Sequence, residues 1–204
     1  MKTKSWKRAR ESFLVEADAI RRALDHIEKA SFGKAVDALA KAERIAASGC
    51  GHSGMACRHF AHSMCCIERS ARFISPSEAL HGASGFIRKG DALVLASRGG
   101  QTPELLPILS IGKRKGATVI AITENMASPL AAGADIVLRS HVERESDKHN
   151  QQGTSSFVVL SAIFDALQVA LLEETEFTSE QFGLIHPGGA VGQRLASRTV
   201  RAGE

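Results

Sequence analysis

The sequence has no C-x-x-C pair, no internal repeat, no low-complexity segment and no unbroken apolar run of membrane-spanning length. Each absence excludes a class. Cys50, Cys57, Cys65 and Cys66 lack zinc-site spacing and the vicinal pair does not easily bridge itself, so neither a disulfide framework nor a cysteine-held metal is expected. The N-terminus, MKTKSWKRARESFLVEADAI, is charged but has no apolar h-region, which points to a soluble, cytoplasmic protein with no membrane partner. The formal charge is +4, with basic clusters at Lys2 to Arg10, Lys113 to Lys115 and Arg194 to Arg201. Helix ends and solvated tails account for these clusters, and no nucleic-acid-binding motif accompanies them, so no nucleic-acid partner is expected.

What the chain has is alternation. Its 204 residues suit one domain, and 44% hydrophobic with 24% charged residues is a globular balance. From Ser5 to Ala30 apolar residues recur at Phe13, Ala17, Ile20, Leu24 and Ile27, the steps of one helical face. A second helix over Gly33 to Ala42 completes an N-terminal hairpin, read as a helical extension (1–42) packed on the domain proper (43–197), with 198–204 as a tail. Strands then follow at RIAAS, ARFIS, ALVLA, TVIAIT and DIVLR. Between them lie helices over Ser53 to Cys66, Pro76 to His81, Pro103 to Gly116 and Ser128 to Ala132, and a long one over Thr154 to Leu172 closes the series. Five short apolar strands alternating with helices predict an α/β fold of three layers, α/β/α, around a five-stranded parallel sheet. Ligands of such sheets bind beyond the carboxyl ends of the strands, so the strand-to-helix loops are where chemistry is sought.

Three loops and a tail stand out. SGCGHSGMA matches G-x-G-x-x-G at Gly49, Gly51 and Gly54. A dinucleotide fold also needs an acid at the end of the next strand, and the nearest, Glu78, lies beyond Pro76, so the glycines read as a phosphate-approach turn with Ser53 capping the helix, or as an ordinary turn. SRGGQTPE places the hydroxyls of Ser97 and Thr102 around Gly99 and Gly100, with Pro103 suited to a first helical turn. The polar stretch from Arg139 to Ser156 is long for a connection and reads as a lid or a solvated loop, with Thr154, Ser155 and Ser156 at a helix N-terminus where an anion could sit. Finally HPGGAVGQRLA follows His186 and Pro187 with three glycines in five residues. It is either a fixed turn bearing an acid–base imidazole or a C-terminal turn tied by hydrogen bonds.

Taken together, GCGHSG, SPSEALHG, GTSS, DALQVALLE and above all FGLIHPGGAVGQRL resemble the sugar-isomerase (SIS) domain family, most closely its arabinose-5-phosphate isomerase branch, over about residues 10 to 197. The resemblance implies a Rossmann-like α/β/α domain, a homodimer or homotetramer, and a sugar phosphate as the bound partner. It puts Ser53, Ser97 and Thr102 on phosphate-site positions, with Gly99 and Gly100 shaping the loop and His52, Gln101, Thr154 and Ser155 beside it. Glu78 and His81 fall on a segment that reaches the site edge. Glu145 and His186 fall on acid–base positions, with His81 as a third candidate catalytic group. The implied chemistry is aldose–ketose isomerisation of a pentose or hexose phosphate through an enediol, with no cofactor required. A divalent metal held by His52, His81 and His186 with Glu78 or Glu145 is compatible with the ligand types but not demanded by their spacing.

The chain departs from the branch at its site. His52 stands where the branch has lysine, Gly99 where it has serine and Gln101 where it has glutamate, while DKHNQQG replaces a C-P-L-G-L-A-P segment and no CBS pair follows the tail. A phosphosugar-binding protein without turnover is therefore the second reading. A dinucleotide oxidoreductase is a distant third, because the ribose-binding acid is missing.

Overall fold

The computed structural model describes residues 2–202. Two helices, α1 (Thr3–Leu24) and α2 (Lys29–Lys41), precede β1 (Ile45–Gly49), α3 (Gly51–Cys65), β2 (Ala71–Phe73), α4 (Pro76–Leu80) and a 3-10 turn (Ala83–Phe86). They are followed by β3 (Ala92–Ala96), α5 (Leu106–Lys115), β4 (Thr118–Thr123), α6 (Pro129–Gly133), β5 (Ile136–Arg139), α7 (Ser155–Glu174), α8 (Ser179–Ile185) and α9 (Gly189–Ala202).

The five strands form one parallel sheet in the order β2-β1-β3-β4-β5. Winding reverses between β1 and β3, the switch point where open α/β sheets take their ligands. Register puts Gly49 of β1 beside Ala96 of β3, so the loops that follow these strands leave the sheet side by side.

Side-chain alternation builds the layers. In β3, Ala92, Val94 and Ala96 face one core, shared with Phe60, Phe164, Leu167 and the buried residues of α1 and α2. Leu93 and Leu95 face the other, shared with Ile87, Leu105, Ile108 and Leu130. This is the expected α/β/α sandwich, with α1, α2, α3 and α7 on one face and α4, α5 and α6 on the other. Phe60 and Phe164 stack at 4.4 Å between centroids, joining α3 to α7. By length and composition α7 meets the criteria for crossing a membrane, contrary to the sequence expectation of no such run. In the fold it lies against α1, α2 and α3, with Val159, Ile163, Phe164, Leu167 and Leu171 buried, which accounts for its apolar sequence.

Several expected boundaries are corrected. The first helix ends at Leu24 rather than Ala30: Asp25 and His26 donate to carbonyls three residues back, and Glu28 is extended before α2 begins at Lys29. Helix α5 starts at Leu106, so Pro107 rather than Pro103 occupies the first turn, where its missing N–H and fixed φ cost nothing. The region after α7 holds two helices that the sequence reading left out. The expected tail, 198–204, is helical through Ala202, and residues 203 and 204 lie outside the described residues.

Candidate functional site

The loops after β1 and β3 meet at a small cavity of about 20 Å³ lined by His52, Ser53, Ser97, Arg98, Ser140, Ser156 and the apolar Ile122, Phe157 and Leu160. Within it the turn after β3 is pre-built. The Ser97 and Thr102 hydroxyls lie 2.8 Å apart, and Ser97 Oγ accepts from Gly100 N at 3.1 Å. Gly100 has φ +64°, and a Cβ there would collide with the Ser128 hydroxyl, so only glycine lets this turn sit down on the end of β4. Gly99 and Gln101 are exposed beside it.

Around β1 the expected cap is corrected. Cys50 is the N-cap of α3 and no side chain caps it, while Ser53 lies within the first turn. A Cβ on Gly54 would meet the Gly49 carbonyl at 2.5 Å, so the helix starts tight against the strand and earlier than a Ser53 cap would allow. The half-buried Ser53 hydroxyl makes no hydrogen bond to another described residue. His52 is exposed, its ring 6.1 Å from that of Phe157 in edge contact.

The anion seat expected at the start of α7 is filled by the chain itself. Glu145 Oε2 accepts from Thr154 N at 2.9 Å, Ser156 N at 3.1 Å and Thr154 Oγ1 at 3.2 Å. Glu145 Oε1 takes Arg98 Nη1 at 2.7 Å. Thr154 is thus committed to this clamp, and Ser155 is fully buried with its hydroxyl unpartnered. Glu145 is itself only 2% exposed. Burial pushes its carboxyl up, but hydrogen bonds from Ser156, the Arg98 guanidinium and the Thr154 N–H more than reverse this, leaving it below the ordinary glutamate value of 4.5. A base poised near neutrality, as the sequence reading wanted, is not what this arrangement makes of Glu145.

The stretch between β5 and α7 is fastened to the rest of the fold and so is no free lid, but its tip, residues 148–152, is exposed as a solvated loop is. Asp147 gathers the backbone N–H groups of His149, Gln151 and Gln152. Glu143 pairs with Arg22 at 2.5 Å, and Ser146 bonds Ser12 and Glu16 at 2.8 Å, fastening the loop to α1.

Glu78 and His81 lie at the same carboxyl edge one strand further out, after β2, and are exposed with no bond to the cavity residues. His186 is elsewhere. It ends α8, stacked on Phe182 at 4.3 Å, and α8 is tied by Gln181 Nε2 to Glu68 Oε2 at 3.0 Å, just past the far end of α3. At about 1.5 Å per residue, the length of α3 separates that end from the cavity by roughly 20 Å. The three histidines therefore do not converge, and among the described residues no group of three His, Cys, Asp or Glu is placed to hold a metal ion. Within the described residues of one copy of the chain, the metal reading has no ligand set.

Sequence reasoning missed Glu124, which binds Arg98 and accepts from Val142 N at 3.4 Å. The signal was positional: an acid directly after a buried strand, on the ligand edge. It also missed α8, whose Thr178 and Gln181 form a capping box legible as T-x-x-Q.

With this geometry in place, comparison decides the family: the SIS domain matches residues 38–170. The chain belongs to the SIS domain family. It is 38% identical to arabinose 5-phosphate isomerase KdsD of Pseudomonas aeruginosa over 182 residues, 89% of this chain and 56% of that protein. It thus spans about half the length of the curated relatives it matches. Among solved structures, a candidate sugar-phosphate isomerase from Listeria monocytogenes superposes with TM-score 0.89 and 39% identity, covering 92% of this chain and all of that one. An Escherichia coli CFT073 protein in complex with arabinose 5-phosphate superposes with TM-score 0.85 and 28% identity over 92% of this chain and 100% of its own.

Proposed function

We propose that this SIS domain is a sugar-phosphate aldose–ketose isomerase of the arabinose-5-phosphate isomerase kind, acting on a pentose or hexose phosphate. The observation that carries the reading is the pairing of the Ser97 and Thr102 hydroxyls beside Ser53 at the switch point of the sheet, where glycines let the backbone approach an anion. The names of the relatives and the arabinose 5-phosphate complex of a structural neighbour support it.

In this reading the phosphate sits on Ser53, Ser97, Thr102 and the backbone of Gly99 and Gly100, with His52 and Gln101 at its margin. The opened sugar gives up the proton on the carbon beside its carbonyl to a base while the carbonyl oxygen gains one, forming an enediol. The proton then returns to the former carbonyl carbon, while the hydroxyl on the carbon that was deprotonated gives up its own proton and becomes the new carbonyl, so atoms balance without a cofactor. Glu145 is the candidate base nearest the cavity. His186 reaches such a site only from a second copy of the chain, because its own copy holds it at the opposite end of α3. A homo-oligomer is therefore part of the proposal, and the exposed apolar side chains Trp6, Phe13, Leu14 and Leu24 of α1 give it a surface. The four free cysteines fit a reducing, cytoplasmic setting.

The test is NMR of the protein with a panel of aldose and ketose phosphates in deuterated water. Interconversion, or deuterium at the carbon next to the carbonyl, supports the isomerase. Saturable binding of one sugar phosphate with no exchange would instead favour the second reading, a phosphosugar-binding protein.

A further inference from the structure

Arg98 stands where β3 gives way to the phosphate-binding turn, and its guanidinium meets acceptors on two other segments. Nε lies 2.7 Å from Glu124 Oε2 after β4, and Nη1 lies 2.7 Å from Glu145 Oε1 in the loop before α7. Nη2 reaches the Val142 carbonyl in the same loop at 3.3 Å. The two oxygens of Glu145 are unlike. Oε2 is filled by three donors from the start of α7, whereas Oε1 has Arg98 alone. With the side chain buried, water does not stand in for the guanidinium.

We propose that Arg98 is the positioning residue of Glu145, and that it couples this carboxylate to the arrival of an anion in the neighbouring cavity. The coupling follows from what lines that cavity: Arg98 does, together with His52, Ser53, Ser97 and Ser156. The cavity of about 20 Å³ has room for about one water molecule, so a phosphate group sits at its rim on the Ser97–Thr102 turn. There it is a second acceptor for the same guanidinium, and the Nε bond to Glu124 gives the fork a pivot on which to turn. Glu145 Oε1 then loses its one donor. Burial now works on a carboxylate with fewer partners, and the group becomes a stronger base when an anion is bound than when the cavity is empty. The other charged groups nearby are His141, 3.6 Å from Glu124, Arg144 on the same loop and Glu16 of α1 beyond Ser146. None of them touches Oε1. The inference rests on the phosphate site proposed above, but its first half does not depend on turnover.

The experiment is a pH titration of the Glu145 side-chain carbon by NMR in protein labelled at glutamate, with Glu145→Gln to assign the signal. Three proteins are compared, native, Arg98→Met and Arg98→Lys, each with and without saturating inorganic phosphate. Arg98→Met is expected to raise the Glu145 midpoint by about one pH unit or more without phosphate, as loss of an adjacent guanidinium does. Arg98→Lys restores part of the lowering. Phosphate raises the midpoint more in the native protein than in Arg98→Met, where only direct repulsion by the anion remains; equal shifts in the two overturn the coupling. A midpoint unmoved by Arg98→Met while Arg98→Lys also matches native overturns the positioning role, and a native midpoint unmoved by bound phosphate overturns the coupling. Phosphate binding is read separately from its own phosphorus signal. If it does not bind, the phosphate site and the coupling fall together, and the Arg98→Met comparison still decides the positioning role.

Discussion

The hydroxyls of Ser97 and Thr102 face each other at 2.8 Å across the turn that follows β3, with Gly100 N bound to the first of them. Two hydroxyls held this close have fixed directions before any ligand arrives, so a bound phosphate meets them without further ordering. Ser97→Ala combined with Thr102→Ala is expected to weaken sugar-phosphate affinity by at least about tenfold, since a hydrogen bond to a charged group contributes roughly 1.5–3 kcal/mol. Calorimetry with the best substrate from the panel measures it. Unchanged affinity would remove the phosphate from this turn.

The same turn gives a stability prediction with an internal control. Gly100→Ala forces a side chain into a left-handed conformation and into the Ser128 hydroxyl, which caps α6 by accepting from Ala131 N at 3.2 Å. A cost of about 1–3 kcal/mol is expected, or a fall in Tm of roughly 3–10 °C for a chain of this size. Gly99→Ala, next door, meets nothing within 4 Å and should leave Tm within a degree or two, of order ±0.5 kcal/mol. Equal losses in a thermal melt would mean that the close approach to α6 is not what demands glycine.

How much of this was readable beforehand divides along physical lines. The strands ALVLA and TVIAIT came out at their observed bounds because a strand buried on both faces is a short apolar run with nothing else to be. The meeting of the two glycine- and hydroxyl-bearing loops was legible too, because they follow strands on either side of the switch point. Long-range partners were not. Nothing in the local pattern around Glu145 says that it turns back on Thr154 and Ser156, or that Arg98 crosses 47 positions to reach it. The place of His186 was hidden for the same reason: Gln181 and Glu68 decide which end of its own sheet it occupies, and the local sequence around Pro187 does not say so.

The outer face of α1 carries the oligomer prediction. Phe13 is 79% exposed and Leu24 70%, on a helix whose other side packs on α7. Burying these side chains against a second copy would gain about 1.5–3 kcal/mol for each fully covered residue. Light scattering on the native protein is expected to give a dimer or tetramer at micromolar concentration, and Phe13→Glu with Leu24→Glu to shift it toward monomer. A native monomer would sink the idea and with it the route by which His186 reaches a cavity.

Acid stability tests the Glu145 clamp without any ligand. Its carboxyl titrates below 4.5 in the folded chain, where burial opposes ionisation but Ser156, Arg98 and Thr154 favour it. A group lowered on folding contributes its stabilisation fully above the unfolded value and loses it as pH falls through the folded one. The native protein should therefore hold a constant contribution from this group at neutral pH and begin to lose it below about 4.5, the ordinary value. Glu145→Gln removes the titration but leaves Arg98, 40% exposed, with one carboxylate instead of two. The variant is expected to be about 1–3 kcal/mol less stable at pH 7, a range kept below that of a fully buried pair because water reaches the guanidinium. Urea midpoints for the two proteins between pH 7 and about pH 3 should then converge as acid is added, the native curve falling faster. Parallel curves would show that the carboxylate at the start of α7 is not the clamp its hydrogen bonds describe.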